Sequence, residues 1–116
     1  MSRPMTDTDF VPLGVLEEQV LVAVLRTHGD AYGMQVRREI ERVTGRELAI
    51  GAVYATLDRL EAKGLVRSRR VHGEGASRRM FDLSPDGARA LAETRAMREA
   101  LWDGVDLRGL QALARS

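Results

Sequence analysis

The chain has no cysteine among its 116 residues. Disulfides, thiol nucleophiles and thiolate metal sites are therefore excluded. Its two histidines, His28 and His72, lie far apart and read as polar loop residues, which argues against a histidine-based zinc site. The sequence carries no phosphate-cradling glycine motif and no nucleophile–base spacing, so an enzyme is not expected, nor a metal or cofactor. The longest unbroken apolar run, Val20 to Leu25, is far too short to span a bilayer. The opening MSRPMTDTDF lacks the basic-then-apolar order of a signal peptide. These absences lead to the expectation of a soluble, cytoplasmic protein with no membrane partner. Internal repeats and low-complexity tracts are also missing, and 44% apolar with 30% charged residues is ordinary for one globular domain.

What is present is unevenly distributed. The net charge is only +1, but Lys63, Arg67, Arg69, Arg70, Arg78 and Arg79 crowd into residues 63 to 80 against the single Glu74. That segment carries +5 and leaves −4 for the rest of the chain. A basic segment on a mildly acidic body is the footprint of a phosphate-backbone contact, although arginine runs also occur on plain solvated surfaces.

The organising stretch is Ile50 to Val66, IGAVYATLDRLEAKGLV. At about 100° per residue, Leu57 and Leu60 fall within about 40° of Val53. The opposite side holds Gly51, Ala52, Ala55, Asp58, Arg59 and Ala62, a small and polar face. Such a helix fits a DNA major groove, whose width admits one helix. Gly64 stops it, and Leu65-Val66 begins an extended run. Ala49 and Ile50 offer no side-chain acceptor to cap its start.

Around this helix the sequence predicts three others before the C-terminal end, and a hairpin. Residues 1 to 12, with Pro4 and Pro12 and no periodicity, read as a flexible arm. A first helix runs from about Leu13 to Thr27, apolar on nearly every side around Val20 to Leu25, so both faces must be covered. A second subunit, or the far end of the same chain, supplies the second cover. Asp30 is expected to cap a second helix, roughly Ala31 to Thr44, with Met34 or Val36, Ile40 and Val43 inward. Residues 65 to 71 and Arg79 to Leu83 alternate as two strands joined by the glycine-rich tip HGEGAS. Ser84-Pro85-Asp86 starts a fourth helix reaching about Trp102 or Asp103. Gly104 ends it, and Asp106 is placed to cap a short last helix. The fold expected is mainly α with a small β-hairpin. A winged helix-turn-helix occupies 13–83, and 84–116 forms a C-terminal dimerisation helix with a short tail helix.

Several pieces together resemble the PadR family of bacterial transcriptional regulators. They are Tyr32-Gly33, Gly51-Ala52-Val53-Tyr54 with Leu57 and Arg59-Leu60-Glu61, Gly64-Leu65-Val66, the wing residues Arg78-Arg79-Met80-Phe81, and Leu83-Ser84-Pro85-Asp86-Gly87. The match covers roughly residues 13 to 103 and is similar to compact members with a single C-terminal dimerisation helix. Where the family usually has Ser or Thr, this chain has Ala52; where it has Pro, this chain has Ala55. Base preference therefore does not carry over. Phe81 stands where tyrosine is common.

The resemblance implies a homodimer that places two recognition helices in successive major grooves of a pseudo-palindromic operator, about 34 Å apart, and acts as a repressor. The first and fourth helices would form the interface through Leu13, Leu16, Val20, Leu91, Met97, Leu101 and Trp102. Candidate DNA contacts are Tyr32, Gly51, Ala52, Tyr54, Ala55, Arg59, Arg70, Arg78 and Arg79. Several have a plainer reading: Tyr54 as a half-buried structural ring, Gly51 as a turn requirement, Arg59 as a solvated side chain, and at least one wing arginine as a flank of the sheet. In compact members the interface can enclose a hydrophobic pore for flat aromatic effectors. Trp102 would line it here, or would only lock the dimer. A different class of function, a winged-helix module that binds protein instead of DNA, is opposed by the basic wing.

Overall fold

The computed structural model describes residues 12–73 and 77–116. Its element order is α1 (Val15–Arg26), α2 (Gly33–Thr44), α3 (Ile50–Ala62), β1 (Val66–Val71), β2 (Arg78–Leu83), α4 (Pro85–Trp102) and α5 (Leu107–Arg115). The expected arm lies outside the described residues except for the exposed Pro12, as does the centre of the hairpin tip, 74–76. The order is that of a winged helix-turn-helix followed by C-terminal helices.

One apolar core joins these elements. Val20, Leu21, Ala23 and Val24 of α1 meet Val36 and Ile40 of α2, Val53, Leu57 and Leu60 of α3, then Leu65, Val66, Phe81 and Ala90. Val53, Leu57 and Leu60 are fully buried, while Gly51, Ala52, Ala55, Asp58, Arg59 and Ala62 lie open, as the helical spacing predicted. Thr56 is buried as well; its hydroxyl donates to the Ala52 carbonyl at 2.8 Å, which satisfies it without a tertiary partner.

The two strands pair antiparallel, with Ser68 opposite Phe81 and Arg70 opposite Arg79. Residues 31 and 32 run alongside β2: the Phe81 amide donates to the Ala31 carbonyl at 3.0 Å, and Tyr32 bridges Met80. This pairing corrects the start of α2. Tyr32 is held extended at φ −83°, ψ 155°, so it occupies the N-cap position and Asp30 falls two residues short of it. The inner edge of α2 is also narrower than expected: Val36 and Ile40 are buried, whereas Met34 and Val43 are exposed. α1 begins at Val15 instead of Leu13, because Gly14 is extended.

Ser84 caps α4 by accepting from the Gly87 amide at 3.0 Å, with Pro85 in the first turn. Its hydroxyl also donates to the Gly64 carbonyl at 2.6 Å, tying the helix to the end of α3. Gly87 is required there, since a Cβ would overlap the Leu65 carbonyl. Gly87, Ala90 and Thr94 are the buried residues of α4; beyond Thr94 the helix leaves the core. Together with α5 this projection raises the radius of gyration to 17.1 Å, against about 13 Å for a compact chain of this length.

Candidate nucleic-acid interface

The N-termini of the helices divide into two kinds. α4 and α5 are capped by Ser84 and Asp106, and α1 carries Glu17 and Glu18 in its first turn. α2 and α3 have neither a capping side chain nor an acid in the first turn. Their first amides lack intrahelical acceptors and present a partial positive charge, the arrangement that binds phosphate.

The expected residues gather around these two ends. Gly51, Ala52, Tyr54 and Ala55 are exposed along the first turns of α3, with Tyr54 38% accessible. The Tyr54 ring seats on Gly33, where a Cβ would collide with it, so the N-termini of α2 and α3 are locked together. Next to Gly33, Tyr32 carries the Arg78 guanidinium 4.1 Å above its ring centroid. A continuous strip thus links the recognition helix, the start of α2 and the outer part of the wing.

The remaining arginines behave differently. Arg70 is exposed near the tip, 3.4 Å from the Ser77 hydroxyl. Arg59 turns toward α1, where Glu17 accepts from Lys63 Nζ at 2.7 Å and from Arg59 Nε at 3.4 Å. Burial pushes the Glu17 carboxyl up, but the hydrogen bonds from Lys63 and the Gly14 amide outweigh it and hold the group below the usual range. Arg79 faces α3 and bonds to Asp58 at 2.9 Å and Glu61 at 2.7 Å. Arg67 and Arg69, absent from the expected contacts, are exposed on the opposite face of β1; they belong to the same basic run that singled out their neighbours. The roles of Glu17, Gly33 and Glu61 carried no local signal, because each depends on a residue from another element.

The expected interface residues also separate. Val20 has no exposed surface and belongs to the chain's own core, because α1 turns it toward α2 and α3. Leu13, Leu16 and Leu91 are partly buried against that core. Met97, Leu101 and Trp102 are exposed and, with Leu13 and Thr94, border a cleft of about 270 Å³.

A small-faced helix with a tight turn before it and a basic hairpin after it defines a winged helix-turn-helix protein. The family model described as the transcriptional regulator PadR-like family matches residues 20–93. The chain is 36% identical over 72 residues to the transcriptional regulator Rv3488 of Mycobacterium tuberculosis, covering 62% of this chain and 66% of that one. Another curated relative, an uncharacterized transposon protein of Streptomyces fradiae, is 38% identical over 88 residues but is spanned over only 24% of its length. Among solved structures, a PadR family regulator from Eggerthella lenta superposes with a TM-score of 0.63 at 26% identity, covering 78% of this chain and 83% of that one. Bacillus subtilis PadR, solved in complex with operator DNA, shares the fold with a TM-score of 0.59 at 18% identity, covering 69% of this chain and 46% of that one. The chain belongs to the PadR-like family of transcriptional regulators.

Proposed function

We propose that the chain is a sequence-specific DNA-binding repressor that works as a homodimer on a pseudo-palindromic operator. The observation that carries this reading is the strip itself: a low-relief helix face, two uncapped helix N-termini and a basic wing on adjoining surfaces. B. subtilis PadR, which shares the fold, was solved on operator DNA and lends support. In this reading Gly51, Ala52, Tyr54 and Ala55 face the major groove. Tyr32, Arg59, Arg70 and Arg78 meet backbone phosphate or the minor groove, where arginine is favoured.

The second subunit covers Met97, Leu101 and Trp102, and a flat hydrophobic effector enters the cleft that Trp102 borders. Repression is then relieved when the effector changes the spacing of the two recognition helices. The test is a gel shift on DNA immediately upstream of the protein's own gene, across a salt series. Specific retention that weakens steeply with salt is the expected result. Absence of even weak binding at low salt would sink the reading.

A further inference from the structure

The base of the wing is fixed by the core, since Val66 and Phe81 are buried. Farther out, Arg69 and Arg70 on β1 and Arg78 on β2 are exposed, and of these Arg78 rests on the Tyr32 ring. One carboxylate on the recognition helix holds both strands where these two parts meet. Glu61 Oε2 accepts from the Ser68 amide at 3.0 Å and from the Ser68 hydroxyl at 2.5 Å, which secures β1. Glu61 Oε1 accepts from Arg79 Nη2 at 2.7 Å, which secures β2, while Arg79 Nη1 reaches Asp58 at 2.9 Å. The Arg79 guanidinium lies 4.9 Å from the Phe81 ring centroid and is only 27% accessible. A guanidinium held at both edges and backed by a ring has little left to offer a phosphate.

We propose that Glu61 and Arg79 form a positioning pair that sets the angle of the wing against the recognition helix, and that neither touches DNA. The inference rests on the DNA-binding reading above and replaces Arg79, as a wing contact, with Arg67 and Arg69 beside Arg70. A wing fixed before encounter spares binding the cost of ordering it. The charge makes the proposal testable in sign. Glu61 is an acid beside a surface meant for phosphate, so as a mere surface carboxylate its neutralisation would tighten binding. As a positioning group its neutralisation loosens binding.

The experiment measures fluorescence anisotropy of the upstream DNA fragment, over a salt series, with wild type, Glu61→Gln, Arg79→Gln and the double variant. Thermal melts and sedimentation confirm that each is folded and assembled as the wild type is. Glu61→Gln is expected to bind about tenfold more weakly, and the double variant to lose less than the sum of the two singles, because the Glu61–Arg79 contact is common to both. The slope of log affinity against log salt stays at the wild-type value, whereas a lost phosphate contact lowers it by about 0.9 per site. Arg79→Lys keeps the charge but cannot bridge two carboxylates; it is expected to fall with Arg79→Gln. Tighter binding by Glu61→Gln, additive losses in the double variant, a reduced slope for Arg79→Gln or wild-type affinity for Arg79→Lys would each overturn the proposal. Failure of the wild type to bind specifically would instead remove the functional reading beneath it.

Discussion

Two parts of this chain follow opposite rules. From α1 to the first half of α4 most large apolar side chains close one core, with Val15, Leu25 and Val43 the most exposed exceptions, and several acids are tied to neighbouring elements, as Glu17 is to Lys63 and Glu61 to Ser68 and Arg79. From Met97 onward the pattern inverts. Met97, Leu101, Trp102, Val105, Leu107, Leu110 and Leu113 are all exposed, with Leu101 74% accessible. α5 has no buried residue at all among those described, although Leu107, Leu110 and Leu113 share one of its faces. The first region closes one apolar core of its own. The second leaves an apolar surface larger than scattered single apolar residues account for.

The largest expected effect breaks the second region. Leu101→Asp combined with Trp102→Asp removes the apolar end of α4 without touching the core. If that face joins two subunits, sedimentation shows half the mass, while the far-ultraviolet signal of the folded protomer remains. Affinity for the upstream DNA then falls about 100- to 10,000-fold, since the second half-site is no longer delivered by linkage to the first. An unchanged mass would show that the exposed face serves something else.

A change in the first region acts on folding instead. Gly87→Ala drives a methyl group into the Leu65 carbonyl, and neither backbone has a flexible end to yield. A loss of about 1–3 kcal/mol is expected in urea unfolding, the usual range for overpacking. Sedimentation at protein concentrations where the variant is folded should be unaltered.

This contrast also marks what was legible beforehand. The buried edge of α3, the hairpin and the cap at Ser84 follow from spacing and local chemistry, which the backbone near each residue decides. The start of α2 did not follow, because Tyr32 is claimed by a strand pairing with Met80 that joins residues 48 positions apart. Val20 was misplaced for a related reason: an all-apolar helix does not say which side its own chain covers. Arg79 had the composition of a DNA contact, and only the fold reveals that Asp58 and Glu61 are within its reach.

Acid separates the ion pairs of the first region by degree. Glu39 is held down to about 2, first by its hydrogen bonds with Arg42 and then by those with Arg26. Glu17 and Glu61 are lowered as well. A carboxyl whose pKa is lower folded than unfolded stabilises the fold above its unfolded value. That stabilisation is lost as pH falls through the folded value. Melting temperature is therefore expected to decline from about pH 5 downward. Glu17→Gln should lower stability by about 1–2 kcal/mol at neutral pH, held down by the partial solvation of Lys63 and Arg59. It should also flatten the acid decline. An equally steep decline in Glu17→Gln would mean that Glu17 titrates alike in both states.

The smallest effect compares two caps of the same geometry, one a hydroxyl and one a carboxylate. Ser84 and Asp106 each accept from the amide three residues on, at 3.0 Å in both cases. Replacing such a cap by alanine costs about 1 kcal/mol of local helix stability. At Ser84 the helix it starts is packed through Gly87 and Ala90 into the core, so the loss reaches the whole fold and the melting temperature drops. At Asp106 the helix has no buried residue to pass the loss on, so an isolated protomer should melt at the wild-type temperature while α5 frays. A dimer that packs α5 changes this outcome. Asp106→Ala would then lower the melting temperature at high protein concentration, where subunits are associated, and the difference from wild type would vanish on dilution. Melts at two concentrations therefore decide whether the last helix belongs to the interface, even though α5 touches little of its own chain.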